Sequence, residues 1–121
     1  MDNKFYVSLE AARLLKEKGY RQRYHAYYFG DSNLRKGGYR GDSWYDSPDF
    51  YPAPTKAEAM DWIESNTGFI ISEDYRCDGF WYYVIFQGND IYYDSDCFVN
   101  GSFLTRLEAE EAAIIKALEL L

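Results

Sequence analysis

The run Phe80-Trp81-Tyr82-Tyr83-Val84-Ile85-Phe86 is apolar or aromatic at every position. No other stretch constrains the fold as much. Successive side chains of a strand point to opposite faces, so Phe80, Tyr82, Val84 and Phe86 share one side, and Trp81, Tyr83 and Ile85 share the other. Such a strand needs cover on both faces. Tyr24-His25-Ala26-Tyr27-Tyr28-Phe29 has the same two-sided character. With 121 residues the chain supports one core and one domain, spanning 1–121. If helices cover one sheet face, the other is left with Tyr, Trp and Phe. Either the segment 30–54 folds over it, or a partner or ligand does, since monomers rarely expose more than a few hundred Å² of contiguous apolar surface. The candidate interaction surface is Tyr27, Trp44, Tyr45, Phe50, Tyr51, Trp81 and Tyr83. A second copy of the chain is the simplest occupant, which makes a homo-oligomer an expectation.

The remaining elements follow from local signals. A helix is expected over 8–18, with Ser8 as cap, Leu9, Ala12 and Leu15 as the apolar stripe, and Gly19 as the stop. The Gly-, Pro- and Asp-rich segment 30–54 reads as a long loop, with room for a short strand around Tyr39–Tyr45. Thr55-Lys56-Ala57-Glu58 has capping-box spacing and opens a second helix, buried through Ala59, Trp62 and Ile63 and ended by Asn66-Thr67-Gly68. Strands are expected at Phe69–Tyr75, Phe80–Gln87 and Asp90–Asp94, with Gly88-Asn89 as a tight hairpin turn. Thr105-Arg106-Leu107-Glu108 opens a final helix that runs to the C-terminus. It carries Leu107, Ile114, Leu118 and Leu121 on one stripe and Ala109, Ala113 and Ala117 on another. The order α-β-loop-α-β-β-β-α predicts an α+β fold: an antiparallel sheet of about four strands with helices on one face.

Charge and composition narrow the function. The net charge is −7 and is unevenly spread: nine Lys/Arg face seven Asp/Glu over residues 1–51, but four face thirteen over 52–121. An acidic chain of this kind is a poor general ligand for nucleic acid, and no run reaches the ~18 apolar residues of a membrane span. The N-terminus has no apolar leader pattern, so a cytoplasmic protein is expected. Cys77 and Cys97 lack metal-site or redox spacing and read as two reduced thiols, although a bridge would be compatible with their positions at strand ends.

No chemical constellation assembles. His25 is the only histidine, and no nucleophile signature accompanies it. Gly37-Gly38-Tyr39-Arg40-Gly41 lacks phosphate-loop spacing. A calcium loop starting at Asp94 would need Asp or Asn where Phe98 stands, Gly where Val99 stands and Glu where Thr105 stands. No catalytic residue, metal site or cofactor is therefore expected, and the chain reads as a non-enzymatic interaction module. The alternative is a ligand or single-stranded nucleic-acid binder. It would use the aromatic and basic residues of 16–51, with Lys16, Lys18, Arg21, Arg23, Arg35, Lys36 and Arg40 beside Trp44, Tyr45, Phe50 and Tyr51.

Two family resemblances add to this. Residues 54–121, with the α-β-β-β-α order and the helix bearing Thr105, Glu108-Ala109, Ala112-Ala113 and Ala117-Leu118, resemble a double-stranded-RNA-binding domain. That family holds phosphates with lysines at the start of this helix, where the present chain has Arg106 among Leu107, Glu110 and Glu111. The resemblance thus implies topology rather than RNA binding. Val7-Ser8-Leu9-Glu10-Ala11-Ala12, Leu14–Tyr20, Tyr27-Tyr28, Ala53-Pro54-Thr55, Trp62 and Glu111–Leu118 are similar to small uncharacterised proteins encoded by prophages and mobile elements of Bacteroides-type bacteria. That resemblance implies a phage-related cytoplasmic protein without a catalytic role. A host protein is then a second candidate partner, and the acidic 52–121 half would present it with a DNA-like negative surface.

Overall fold

The computed structural model describes residues 3–22, 24–37, 46–95 and 103–121. After a single 3-10 turn (Asn3–Phe5) the elements are α1 (Leu9–Glu17), β1 (Ala26–Phe29), β2 (Arg35–Lys36), β3 (Phe50–Pro52), α2 (Lys56–Thr67), β4 (Phe69–Tyr75), β5 (Trp81–Gln87), β6 (Asp90–Asp94) and α3 (Arg106–Glu119). The protein is α+β, and its strands pair antiparallel throughout, in two three-stranded sheets ordered β2-β1-β3 and β4-β5-β6. The helices expected over 8–18, from Thr55 and from Thr105, and the strands expected around 24–29, 69–75, 80–87 and 90–94, are present. The strands divide between two sheets because the described parts of 30–54 supply β2 and β3 as partners of β1. Those residues therefore build the first sheet rather than a lid over the second. The strand considered at Tyr39–Tyr45 lies outside the described residues.

Helix ends form where side chains can satisfy the free backbone groups. The Ser8 oxygen accepts the Ala11 N–H at 3.2 Å. The box at α2 is complete: Thr55 Oγ1 accepts the Glu58 N–H at 3.2 Å, and Glu58 Oε1 accepts the Thr55 N–H at 2.9 Å. Gly68 ends α2 in the left-handed region, φ 80°, where a side chain would clash with its own backbone. The Thr105 oxygen accepts the Glu108 N–H at 3.1 Å. Thr55→Ala should cost about 1 kcal/mol in urea unfolding, and Thr55→Ser should recover most of it.

The small side chains of α3 let it pack from several sides at once. Ala109, Ala113 and Ala117 are buried with Ile114 and Leu118, and the helix lies against β4, β5, α1 and α2. Its core neighbours include Val7, Ala11, Leu15, Ile63, Phe69, Tyr83 and Ile85. Leu121 is exposed, so the leucine stripe ends at Leu118. Tyr24 and Phe50 form a second, smaller cluster, with Tyr27 against it.

The register of the second sheet decides which face of the aromatic strand is covered. Ile71 pairs with Ile85, Glu73 with Tyr83 and Tyr75 with Trp81, all on the face toward α3. Ile70 with Phe86, Ser72 with Val84 and Asp74 with Tyr82 occupy the opposite face, where Ile91 also pairs with Phe86. Ile70 and Ile91 are 42% and 61% exposed.

Candidate functional site

A bridge between Tyr6 and Thr55 lays the N-terminal segment beside the entry to α2, and the Val7 N–H donates to the Pro54 carbonyl at 3.1 Å. This places Lys56, the first residue of α2, under the N-terminal chain with only 6% of its surface exposed. A lysine is seldom so buried without partners. The Lys56 ammonium donates to the carbonyls of Lys4 and Tyr6, the latter at 3.0 Å, and lies 3.9 Å from Glu111 Oε1 of α3. The Glu111 carboxylate is held from a third direction: Oε1 accepts the Ser8 N–H at 3.0 Å and Oε2 accepts the Ser8 hydroxyl at 2.7 Å. Tyr28 of β1 donates its hydroxyl to the Val7 carbonyl at 2.7 Å. Burial, reinforced by the nearby negative charge of Glu111, raises the pKa of that phenol and keeps it a donor.

Above this polar floor lies an open groove of about 840 Å³, walled by Tyr6, Phe103, Leu107, Ala112 and Ile115. Phe103 is fixed by a two-way backbone bridge to Trp81, with N···O distances of 2.8 and 3.0 Å. Leu107, Ala112 and Ile115 project from the side of α3 that is turned away from the second sheet. The floor groups are committed to one another: the Lys56 ammonium faces three acceptors, both Glu111 oxygens accept, and the Tyr28 proton is used. No buried side-chain nitrogen or oxygen lacks a partner among the described residues, and no cluster of three or more metal-ligating side chains occurs among them. What the groove offers a binding partner is mostly apolar surface, with Thr105 and Glu108 also on its lining.

Among the described residues, those singled out from the sequence do not converge on one surface. Phe50 is completely buried between Tyr24 and Tyr27, with ring centroids at 5.2 and 5.7 Å. Tyr83 is 3% exposed beneath α3, and burial raises its pKa. Neither side chain is available to a partner: in each case the aromatic position that looked outward faces the core. Tyr27 is half-buried, and Tyr51 donates to the Pro48 carbonyl at 2.9 Å while lying under the Lys16 ammonium. Trp81 is half-buried against Tyr75. Trp44 and Tyr45 lie outside the described residues, as does Cys97; Cys77 is an exposed free thiol, and His25 is exposed.

The basic residues of the 16–51 region are largely engaged within the chain. Lys16 donates to the carbonyls of Ser47 and Phe50, and its burial there lowers the ammonium pKa against the opposing charges of Asp46 and Asp49. Arg21 pairs with Asp46 at 3.7 Å and Arg35 with Asp31 at 3.0 Å. Lys36 covers the Tyr6 ring at 3.7 Å.

The groove was missed from sequence, although one signal for it exists. Leu107, Glu111 and Ile115 recur at steps of four along α3, a stripe separate from the buried alanines. A helix with two such stripes is covered on two sides. Comparison with protein-family models, curated proteins and solved structures finds no match for this chain. Among the described residues no helix is long and apolar enough to cross a membrane.

Proposed function

We propose that this chain is a non-catalytic protein-binding module that seats the apolar ridge of a partner polypeptide in the groove beside α3. One observation carries the reading: Tyr6, Phe103, Leu107, Ala112 and Ile115 make the walls mostly apolar, with Lys4, Thr105 and Glu108 also on the lining, while Ser8, Tyr28, Lys56 and Glu111 on the floor are matched within the protein. A site built for chemistry, or for a charged small ligand, would keep donors or acceptors aimed into the cavity. Here recognition rests on shape and burial, the mode by which a groove takes the spaced side chains of an amphipathic segment. The partner is a separate protein presenting such a segment, which is compatible with a host protein as the target of a phage-related chain.

Selection of random displayed peptides against the wild-type protein, with Ala112→Trp as counter-target, tests this. The tryptophan fills the groove from a half-buried position on its wall, and leaves the fully buried residues of α3 unchanged. Amphipathic sequences should be enriched, and their binding should shift the amide resonances of Phe103, Leu107 and Ile115 and fall at least about tenfold on Ala112→Trp. Selected peptides that bind both proteins equally, or that shift resonances elsewhere, would overturn the reading. So would a selection that enriches nothing over an unrelated protein.

A further inference from the structure

A second hollow in the molecule is built the opposite way from the groove beside α3. It opens to solvent between the chain leaving α1 and one side of α2, with a volume of about 500 Å³. The turn after α1 uses Gly19 at φ 96°, and the Tyr20 N–H returns to the Leu15 carbonyl at 3.0 Å. That reversal buries Tyr20 and sets Gln22 at the rim. The opposing wall is α2. Ala59 and Ile63 of this helix face the core, whereas Asp61, Trp62, Ser65 and Asn66, neighbours at steps of three and four, line the hollow. Trp62 is half-buried, and its ring meets that of Tyr20 edge-on, with centroids 5.4 Å apart and planes at 69°. The contact fixes the orientation of an indole that lines the hollow.

The polar groups here are not used up within the protein. The side chains of Asp61 and Ser65, one turn apart, are exposed and have no hydrogen-bond or ion-pair partner among the described residues. Asn66 donates its amide to the Trp62 carbonyl at 2.8 Å, which leaves its Oδ1 to accept. Only Glu58, whose Oε1 accepts the Thr55 N–H, is drawn away. An aromatic ring beside uncommitted donors and acceptors suits a ligand with one apolar face and a polar edge. The charge pattern narrows its class. Two carboxylates, with no Lys or Arg among the described lining residues, disfavour an anion. A quaternary ammonium is recognised by a cage of several open rings, and with Tyr20 only 2% exposed Trp62 stands alone.

We propose that this hollow binds a neutral saccharide, whose C–H face lies on the Trp62 indole while its hydroxyls bond Asp61, Ser65 and Asn66. Each sugar hydroxyl both donates and accepts, which matches a carboxylate, a hydroxyl and an amide oxygen set around one ring. The site shares no lining residue with the groove beside α3, so either can fail without the other.

Saturation-transfer NMR on the intact protein, with methyl glycosides and short neutral oligosaccharides of glucose, galactose, mannose and N-acetylglucosamine, tests this. At least one series should take up saturation at its ring C–H protons, shift the Trp62 indole N–H, and bind with a Kd of about 1 mM or tighter. Asp61→Ala, at an exposed position, should keep the fold and weaken binding at least about tenfold, as loss of a charged acceptor does. Ser65→Ala should weaken it less, and Trp62→Ala should abolish it; should that last variant fail to fold, Asp61→Ala decides. A panel in which nothing binds overturns the proposal, as does binding that Asp61→Ala leaves unchanged or that shifts a different indole. Tighter binding at Trp62 by tetramethylammonium or by glucuronic acid than by every neutral sugar also overturns it.

Discussion

Lys56→Ala is expected to lower the unfolding free energy by about 3–5 kcal/mol, the usual cost of removing one partner from a buried ion pair. The loss arises from what remains. The carbonyls of Lys4 and Tyr6 lose a charged donor, and Glu111 loses the ammonium facing it while keeping the two hydrogen bonds from Ser8. Urea unfolding followed by tryptophan fluorescence measures it, as a fall in midpoint at constant slope. Lys56→Met restores the buried stem but not the charge, and should recover only part of the loss. Pairing Lys56→Met with Glu111→Gln should then recover most of the rest, because the uncompensated carboxylate is gone. If Lys56→Met alone matched the wild type to within about 0.5 kcal/mol, the size of an ordinary surface substitution, the ammonium would contribute nothing to the fold.

Glu73→Gln should act in the opposite direction, and only at higher pH. Burial pushes the Glu73 carboxyl up to about 7 in the folded protein against 4.5 for the free side chain. Below 4.5 both states are protonated, and the glutamine variant matches the wild type. As pH rises from there, the unfolded chain releases its proton while the native state holds on to it, so wild-type stability falls. The fall ends just above the folded pKa. By pH 8 the variant should be more stable by about 2 kcal/mol, less than the full linkage value because Glu73 is partly exposed to solvent screening. Denaturation curves for both proteins at pH 4.5, 6 and 8 measure this difference. Parallel pH profiles would show that Glu73 titrates as an ordinary surface carboxyl.

Local signals in the chain accounted for most elements. The Thr55–Glu58 box, the Gly68 stop and the aromatic run at Phe80–Phe86 each act within a few residues and each formed as read. The division into two sheets was not legible. Strand β2 is the exposed pair Arg35-Lys36, and β3 is three residues that end in Pro52, so both are too short to show a strand pattern in sequence. The buried face of β5 was equally hidden. Tyr82 and Tyr83 are the same residue type, and only the pairing of Tyr83 with Glu73 beneath α3 separates the covered tyrosine from the open one. The groove floor joins Ser8, Lys56 and Glu111 from three separate elements. In sequence these are a cap, a helix start and one of several glutamates, and nothing short of the fold relates them.

The bonds between Ser8 and Glu111 span 103 residues, and so does the contact of the Lys18 ammonium with the Leu121 carbonyl at 3.3 Å. A ribosome emits Ser8 and Lys56 long before it emits the helix whose Glu111 accepts from the one and pairs with the other, and which covers Ala11 and Leu15. Until then the early half of the chain lacks the carboxylate that faces the Lys56 ammonium and leaves an apolar seam uncovered. Such distant closures slow folding. The order of synthesis thus makes α3 the element that closes the core, since it packs against α1, α2, β4 and β5 together.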